Sequence, residues 1–246
     1  MVRTSSPTRY QSGQIEILIG LSKGITVLLG ARNEQAGKEA VEKLTAQGIN
    51  THFLSLDITK SESIASAVQI VTERFGRLDI LVNNAAVVPR GADQQAPSTI
   101  APQLLAEHIN INFLAQVEVT QAFLPLIKLS KSGRIVNMSS TIGSVTIASE
   151  PLHQNGPKPP RLAYAAAKAA LNMFTILLAK ELVDTRIKVN AADPGATRTE
   201  TTTSPLAVNT VDEGARPVVW LATLEEDGPT GCFFTHWKEH QNVNPW

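Results

Sequence analysis

A chain of 246 residues with 43% apolar residues is long enough to bury one hydrophobic core, so we expect one domain over residues 1–246. The 22 Lys and Arg residues balance the 22 Asp and Glu residues, so neither nucleic acid nor a membrane surface is an expected partner. Cys232 is the single cysteine and cannot form an internal disulfide, and no apolar run predicts a membrane span. We therefore expect a cytoplasmic protein.

The first twelve residues are too polar for a buried strand. Met1, Val2 and Tyr10 are their only apolar residues, and residues 1–13 are expected to be irregular or disordered.

From Ile25 onward, short apolar runs alternate with helical patterns, which predicts βαβ units on a mostly parallel sheet and hence the α/β class. The predicted strands cover residues 25–29, 51–56, 78–85, 134–138 and 187–191. The predicted helices cover residues 33–46, 61–75, 109–127 and 163–183. Ser61 is the expected N-cap of the second helix, and Gly76 is expected to end it.

Residues 143–161 predict a loop or lid without secondary structure, because they contain four prolines and Gly156. Loops of this length inside a domain often carry function.

Tyr164 and Lys168 are four residues apart at the start of a predicted helix, so they lie on one face of it. An ammonium group beside a phenol favours the phenolate, so we expect a lowered pKa for Tyr164 and a usable proton donor near neutral pH. Such a pair also occurs by chance in alanine-rich helices, so the spacing alone does not identify a site.

Three predicted strands end in polar turns. Asn83-Asn84-Ala85 follows one strand, Ser139-Ser140 another, and Asp193-Pro194-Gly195 a third. Open α/β sheets bind ligands at the carboxyl ends of their strands, so the three turns predict one common site.

The order Asn83-Asn84-Ala85, Asn112, Ser140, Tyr164-Lys168 and Pro194-Gly195 resembles the short-chain dehydrogenase/reductase family. Gly30-Ala31-Arg32, the long interval from Ser140 to Tyr164 and the run DGPTGCFF at residues 227–234 are similar to its carbonyl-reductase-like branch. The resemblance implies a doubly wound, mostly parallel sheet of the Rossmann type.

The resemblance also implies hydride transfer between a nicotinamide and a carbonyl carbon of a small molecule, which is reversible to alcohol oxidation. Tyr164 would donate a proton to the developing alkoxide, and Ser140 would orient the carbonyl oxygen. Lys168 would hold the nicotinamide ribose and acidify Tyr164, and Asn112 would support a water that relays protons.

The cofactor residues that the resemblance implies lie at strand ends and in the helix of Tyr164. Besides Tyr164 and Lys168 they are Arg32, Asp57, Asn83, Ala85, Pro194, Gly195 and Thr199. Arg32 suits a 2′-phosphate because its guanidinium pairs with phosphate, which favours NADP(H) over NAD(H).

The chain departs from the family at its start. The family opens with a strand and a glycine turn that receives the pyrophosphate, whereas here the polar N-terminus and Gln11-Ser12-Gly13-Gln14 stand in those places. We therefore expect a sheet without the usual first strand. For residues 14–19 two interpretations stay open: the family's first helix, or a strand that turns at Ser22-Lys23-Gly24 into the next one.

Two functional hypotheses follow: an NADP(H)-dependent carbonyl reductase, or an impaired relative that no longer binds dinucleotide and acts as a binding protein. A longer natural chain is a third possibility. The long insert slightly favours a monomer. Cys232, His236 and His240 have a spacing that can suit zinc, but three ligands in an irregular tail predict no metal site.

Overall fold

Strands and helices alternate along most of the chain. The computed structural model describes residues 15–17, 24–88, 95–150, 161–199, 207–238 and 240–246. The strands β1 to β8 are Ile15–Ile17, Val27–Ala31, Thr51–Ser55, Ile80–Asn83, Arg134–Met138, Lys188–Asp193, Phe233–Lys238 and His240–Val243. The helices α1 to α7 are Glu34–Ala46, Ser61–Phe75, Pro102–Ile109, Ala115–Ile127, Val145–Ala148, Leu162–Glu181 and Val211–Ala222.

The described strands form two sheets. One has the order β1-β2-β3, and the other has the order β4-β5-β6-β7-β8. The pairs β2/β3, β4/β5, β5/β6 and β6/β7 are parallel, and β8 is antiparallel to β7. Parallel strands joined by helices confirm the α/β class and the Rossmann-type architecture predicted from the sequence.

β1 runs antiparallel to β2, with Ile15 opposite Ala31 and Ile17 opposite Leu29. It also approaches β4 and thus lies between the two sheets. The strand interpretation of this segment is confirmed and the helix interpretation is wrong, because residues 15–17 pair with β2 as an extended strand. Within the described residues, no parallel strand precedes β2, as expected. The polar residues 1–13 lie outside the described part.

Most predicted boundaries hold within two residues, and the differences have local causes. β2 begins at Val27 instead of Ile25 and extends to Ala31, all of it buried. Ser61 is the first residue of α2 and not its N-cap, since its neighbour Lys60 takes that position without a side-chain bond. Gly76 ends α2 with φ 71°, as predicted.

One hydrophobic core packs against both sheets. Leu28 of β2 belongs to the same buried cluster as Ile135 of β5 and Val189 of β6. The cluster also contains Val71 of α2 and Val119 of α4, both with 0% exposure. Burying one such side chain contributes roughly 1.5–3 kcal/mol, so these contacts hold the sheets together.

The long helix predicted over residues 109–127 is interrupted. α3 ends at Ile109, a π-helical turn covers Asn110–Leu114, and α4 then continues to Ile127. Short π-helical turns inside helices are frequent at functional sites because they rotate side chains out of the regular helical register. The turn carries Asn112, which the sequence places among the catalytic residues.

Among the described helices, α6 alone is long and apolar enough to cross a membrane by length and composition. Its packing is that of a core helix, with contacts to β6 and α3 and with Lys168, Asn172 and Thr175 buried. The sequence was expected to contain no apolar run long enough to span a membrane, and α6 shows that this expectation was wrong.

Candidate active site

Tyr164 lies in the first turn of α6, where its half-buried side chain interacts with that of Ser140. Ser140 follows the end of β5, and its Oγ also accepts a bond of 3.3 Å from the N–H of Ile142. The structure therefore brings the predicted proton donor and the predicted orienting hydroxyl into direct contact.

Lys168 is one turn after Tyr164 and is only 2% exposed. Its Nζ donates to the carbonyl oxygen of Met138 over 2.5 Å and lies 5.6 Å from the centre of the Tyr164 ring. The ammonium group is thus held at the end of β5 and beside the phenol.

The lowered pKa expected for Tyr164 is wrong. Burial raises the pKa of Tyr164 above its usual range, and the charge of Asp193 raises it further. Arg161 and the hydrogen bond with Ser140 oppose this rise without cancelling it. Burial also lowers the pKa of Lys168 to about 8, against the opposing charge of Asp193. Spacing in the sequence shows the ammonium neighbour but not the burial of both groups.

The turn after Ser140 packs closely on α6. A Cβ on Gly143 would lie 2.6 Å from the Cβ of Lys168 and 2.9 Å from the backbone nitrogen of Ala169. Real Cβ atoms do not approach backbone so closely, so only glycine lets this turn and α6 lie together.

Asn112 is fully buried and bonded to the segment that follows β4. Its Nδ2 donates to the carbonyl oxygen of Val87 at 2.9 Å, and its Oδ1 accepts from the Val87 N–H at 2.7 Å. Nδ2 also lies 3.2 Å from Nδ1 of His108, whose ring meets that of Tyr164 edge-on at 6.4 Å. The side chain thus holds the strand-end segment beside the site, while its role in a proton relay stays a prediction.

The segment after β4 is fixed by buried amide groups. Asn83 donates through Nδ2 to Thr120 and to Asn137, at 2.8 Å in both cases. The carbonyl oxygen of Ala85 accepts a bond of 2.5 Å from Nε2 of Gln116. These bonds hold the predicted cofactor residues Asn83 and Ala85 at the carboxyl end of β4.

The turn after β6 is shaped by Asp193. Its Oδ1 accepts from the N–H of Gly195 at 2.7 Å, and Gly195 has φ 65°, a value that glycine adopts readily. Asn209 donates through Nδ2 to the carbonyl oxygen of Pro194 over 3.0 Å. Asp193 thereby places Pro194 and Gly195 near Ser140. Thr199 lies farther along the chain, where it is exposed at the periphery of the site.

Arg32 and Asp57 lie at the carboxyl ends of the other sheet. Arg32 is exposed directly after β2, and Asp57 is half-buried two residues after β3. Asp57 accepts bonds of 3.1 and 2.7 Å from the N–H and hydroxyl of Thr59. Burial raises the pKa of Asp57, but these bonds and the charge of Lys60 outweigh it, so its pKa is below the usual value.

A nicotinamide dinucleotide fits one part of this arrangement better than the other. The half-buried Ser140 and Tyr164 and the buried Lys168 meet at one sheet edge, and Arg32 offers a cation for a 2′-phosphate. For the pyrophosphate, no helix of the described chain begins between β1 and β2, where a Rossmann-type fold offers its N-terminal N–H groups. The residues therefore fit the nicotinamide and ribose end.

The predicted lid is in part an ordered element. Residues 145–148 form the short helix α5, although no element was expected over residues 143–161, and residues 151–160 lie outside the described part. Ser144 caps α5 and also donates to the carbonyl oxygen of Pro245 at 2.8 Å. The ring of Trp246 stacks on that of Phe233. The backbone oxygen of Trp246 accepts hydrogen bonds from the N–H of Thr146 at 3.1 Å and from its hydroxyl at 2.7 Å. Residues 245–246 thus fix the start of the insert.

Sequence reasoning assigned no role to His108 or Asp193. His108 precedes Asn112 by one helical turn, and Asp193 stands directly before the Pro194-Gly195 turn, so position alone could have drawn attention to both. Within the residues that the structure describes, no group of three His, Cys, Asp or Glu side chains could hold a metal ion. The side chains of His236 and His240 are outside that part.

Comparisons with known proteins agree with this geometry. A family model described as short chain dehydrogenase matches residues 20–207. Carbonyl reductase (NADPH) 1 of Mus musculus is 32% identical over an alignment that covers 89% of this chain and 88% of the relative. Salutaridine reductase of Papaver bracteatum is 31% identical, with 87% of each chain covered.

A solved structure of NADPH-bound carbonyl reductase from chicken fatty liver shares the fold. It superposes with a TM-score of 0.70 at 28% identity, and the match covers 87% of this chain and 84% of that chain. These similarities extend over nearly the whole length of the relatives. The chain belongs to the short-chain dehydrogenase/reductase family and is of the carbonyl-reductase-like type.

Proposed function

We propose that this oxidoreductase reduces carbonyl groups of small molecules to alcohols with NADPH, reversibly, and that Tyr164, Ser140, Lys168 and Asn112 form its catalytic site. The observation that carries the proposal is the contact between the Tyr164 and Ser140 side chains, with the ammonium of Lys168 beside the ring. A proton donor, a hydroxyl and a cation at one strand end suit the reduction of a polarised carbonyl.

In the proposed mechanism, the hydride for the carbonyl carbon would come from a reduced nicotinamide held beside Tyr164 and Lys168. Ser140 donates a hydrogen bond to the carbonyl oxygen and orients it toward Tyr164. Tyr164 donates its phenolic proton to that oxygen as negative charge develops there. The raised pKa of Tyr164 keeps the phenol protonated at neutral pH, as this direction of the reaction requires.

Lys168 would donate through its Nζ to the ribose hydroxyls of the nicotinamide. Its pKa of about 8 lets it carry a proton near neutral pH. Asn112 holds the segment after β4 through Val87 and thereby supports this end of the site, where a water could relay protons to Lys168.

Arg32 supports a preference for NADP(H) over NAD(H), since an exposed guanidinium directly after β2 suits a 2′-phosphate. Three solved structures of similar proteins contain NADPH or NADP, in agreement with this preference. The remaining contacts proposed for the cofactor are Asp57 and Thr199, Asn83 at the end of β4 and Ala85 after it, and the turn Pro194-Gly195.

A second candidate function is supported by the direction of β1. An antiparallel β1 offers no helix N-terminus to the pyrophosphate in the described residues, so the chain could serve as a binding protein without efficient turnover. The two candidates differ in whether NADPH binds.

Titration of the chain with NADPH, followed by nicotinamide fluorescence, separates them. The reductase predicts saturable binding and NADPH oxidation with carbonyl compounds. Tyr164→Phe should leave binding unchanged and lower kcat by roughly 10²–10⁴-fold, since it removes the proton donor and little volume. An absence of saturation at millimolar NADPH would refute the reductase and support the binding protein.

A cytoplasmic, monomeric state is also part of the proposal, supported by the single cysteine and by the insert before α6. Light scattering of the purified chain at several concentrations would test the monomer, and a mass near twice 26.5 kDa would refute it.

A further inference from the structure

Asp193 is a buried carboxylate in the middle of the candidate site, at the last position of β6 and 5% exposed. Burying a carboxylate is costly unless hydrogen bonds or opposite charges compensate, so its surroundings need an explanation. No functional role has so far been given to it.

The two oxygens of Asp193 bond two different turns. Oδ2 accepts from the N–H of Thr141 at 2.8 Å, directly after Ser140, and Oδ1 accepts from the N–H of Gly195 at 2.7 Å. The first turn carries the hydroxyl that orients the carbonyl, and the second is expected to line the nicotinamide. One carboxylate therefore sets the position of these two turns relative to each other.

The same carboxylate acts electrostatically on α6. It interacts with both Tyr164 and Lys168, and it raises the pKa of each. The other groups that face the phenol are Arg161, whose charge opposes Asp193, and the ring of His108 on α3. Lys168 is the buried cation of this group, and Asp193 is the carboxylate that acts on it.

We infer that Asp193 is a positioning residue, which ties the Ser140 turn to the Gly195 turn and provides the counter-charge for Lys168. This inference rests on the proposed reduction, in which Tyr164 and Lys168 act while protonated. Loss of the negative charge should let both groups lose their protons at lower pH.

Tyr164 can be observed directly, because the chain contains only two tyrosines and the other is Tyr10. In a Tyr10→Phe background, near-ultraviolet phenolate absorbance reports Tyr164 without cofactor or turnover. With Asp193 in place, we expect phenolate to appear only as the chain unfolds in alkali. With Asp193→Asn, it should appear before unfolding, shifted by about one pH unit or more.

Asn190→Ala is the matched control. Asn190 is buried on the same strand, and its amide bonds Pro229 and Cys232, away from the site. It should lower Tm and leave the phenolate onset unchanged. The inference would be overturned if the pH at which phenolate appears were unchanged in Asp193→Asn. It would also be overturned if Asn190→Ala shifted that pH by the same amount. If Asp193→Asn fails to fold, Asp193→Ser, which is uncharged and smaller, gives the same comparison.

Activity provides the second measurement. Asp193→Asn should lower kcat for reduction more than it changes KM for NADPH, and should move the alkaline loss of activity to lower pH. A fall in activity at an unchanged pH profile would overturn the inference. If the parent chain neither binds nor oxidises NADPH, the proposed function fails, while the absorbance titration still decides the role of Asp193.

Discussion

Both sheets carry predicted cofactor residues at the carboxyl ends of their strands, but the residues are arranged differently. At the five-stranded sheet, side chains from three strand ends and from α6 bond one another, as Ser140 with Tyr164 and Asp193 with Thr141 show. At the three-stranded sheet, Arg32 is exposed after β2 and Asp57 is half-buried after β3, and β1 runs opposite to β2. Proton transfer depends on side chains, whereas pyrophosphate binding depends on backbone direction, so the two can be altered separately.

Among the variants that compare the two sheets, the largest effect is expected from a methyl group at Gly143. Gly143→Ala would force the turn after Ser140 away from Lys168, and a misplacement of about 1 Å at a catalytic centre can cost on the order of a hundredfold in kcat. Steady-state kinetics with NADPH and denaturant unfolding would measure the losses of rate and stability.

Gly37→Ala is the control in the other half of the molecule, because its added Cβ meets the side chain of Phe53. It should destabilise the chain by about 1–3 kcal/mol with little change in kcat. Equal losses of kcat in both variants would contradict the division between the two sheets.

A smaller effect is expected from Arg32→Ala. If Arg32 pairs with the 2′-phosphate, KM for NADPH should rise roughly tenfold or more, since a charge-assisted hydrogen bond contributes about 1.5–3 kcal/mol. KM for NADH and kcat should hardly change. An equal rise of KM for NADPH and for NADH would show that Arg32 does not recognise the 2′-phosphate.

The smallest effect concerns Asp57 and pH. Because its pKa is lowered in the folded chain, its ionised form stabilises the fold above the pKa of the unfolded chain. This contribution is lost as pH falls through the folded pKa. Asp57→Asn should therefore cost less than about 1 kcal/mol at neutral pH and nothing in acid. Urea midpoints of both chains across pH would measure it, and a difference that grows in acid would contradict it.

The sequence alone predicted the strand-end turns and the Tyr164-Lys168 pair, because residue type and spacing carry them. It could not predict the raised pKa of Tyr164, which depends on burial and on Asp193 from a distant strand. The direction of β1 stayed open, since isoleucines at positions 15, 17 and 19 satisfy a strand and the family's helix alike. The helix α5 was missed because prolines later in the insert dominated its pattern.

The boundary between the two sheets, where β1 lies beside β4, determines which parts of the chain can unfold locally. Among the described strands, no backbone ladder joins β1 to β4, and a buried cluster that contains Leu28 and Ile135 packs against both sheets. Amide protons of β2 and β3 should therefore exchange with solvent through openings that leave β4 to β7 closed. A ligand that contacts both sheets would slow this exchange without contacting most of the protected amides. Hydrogen exchange measured with and without cofactor would therefore show whether the cofactor binds to both sheets or to one.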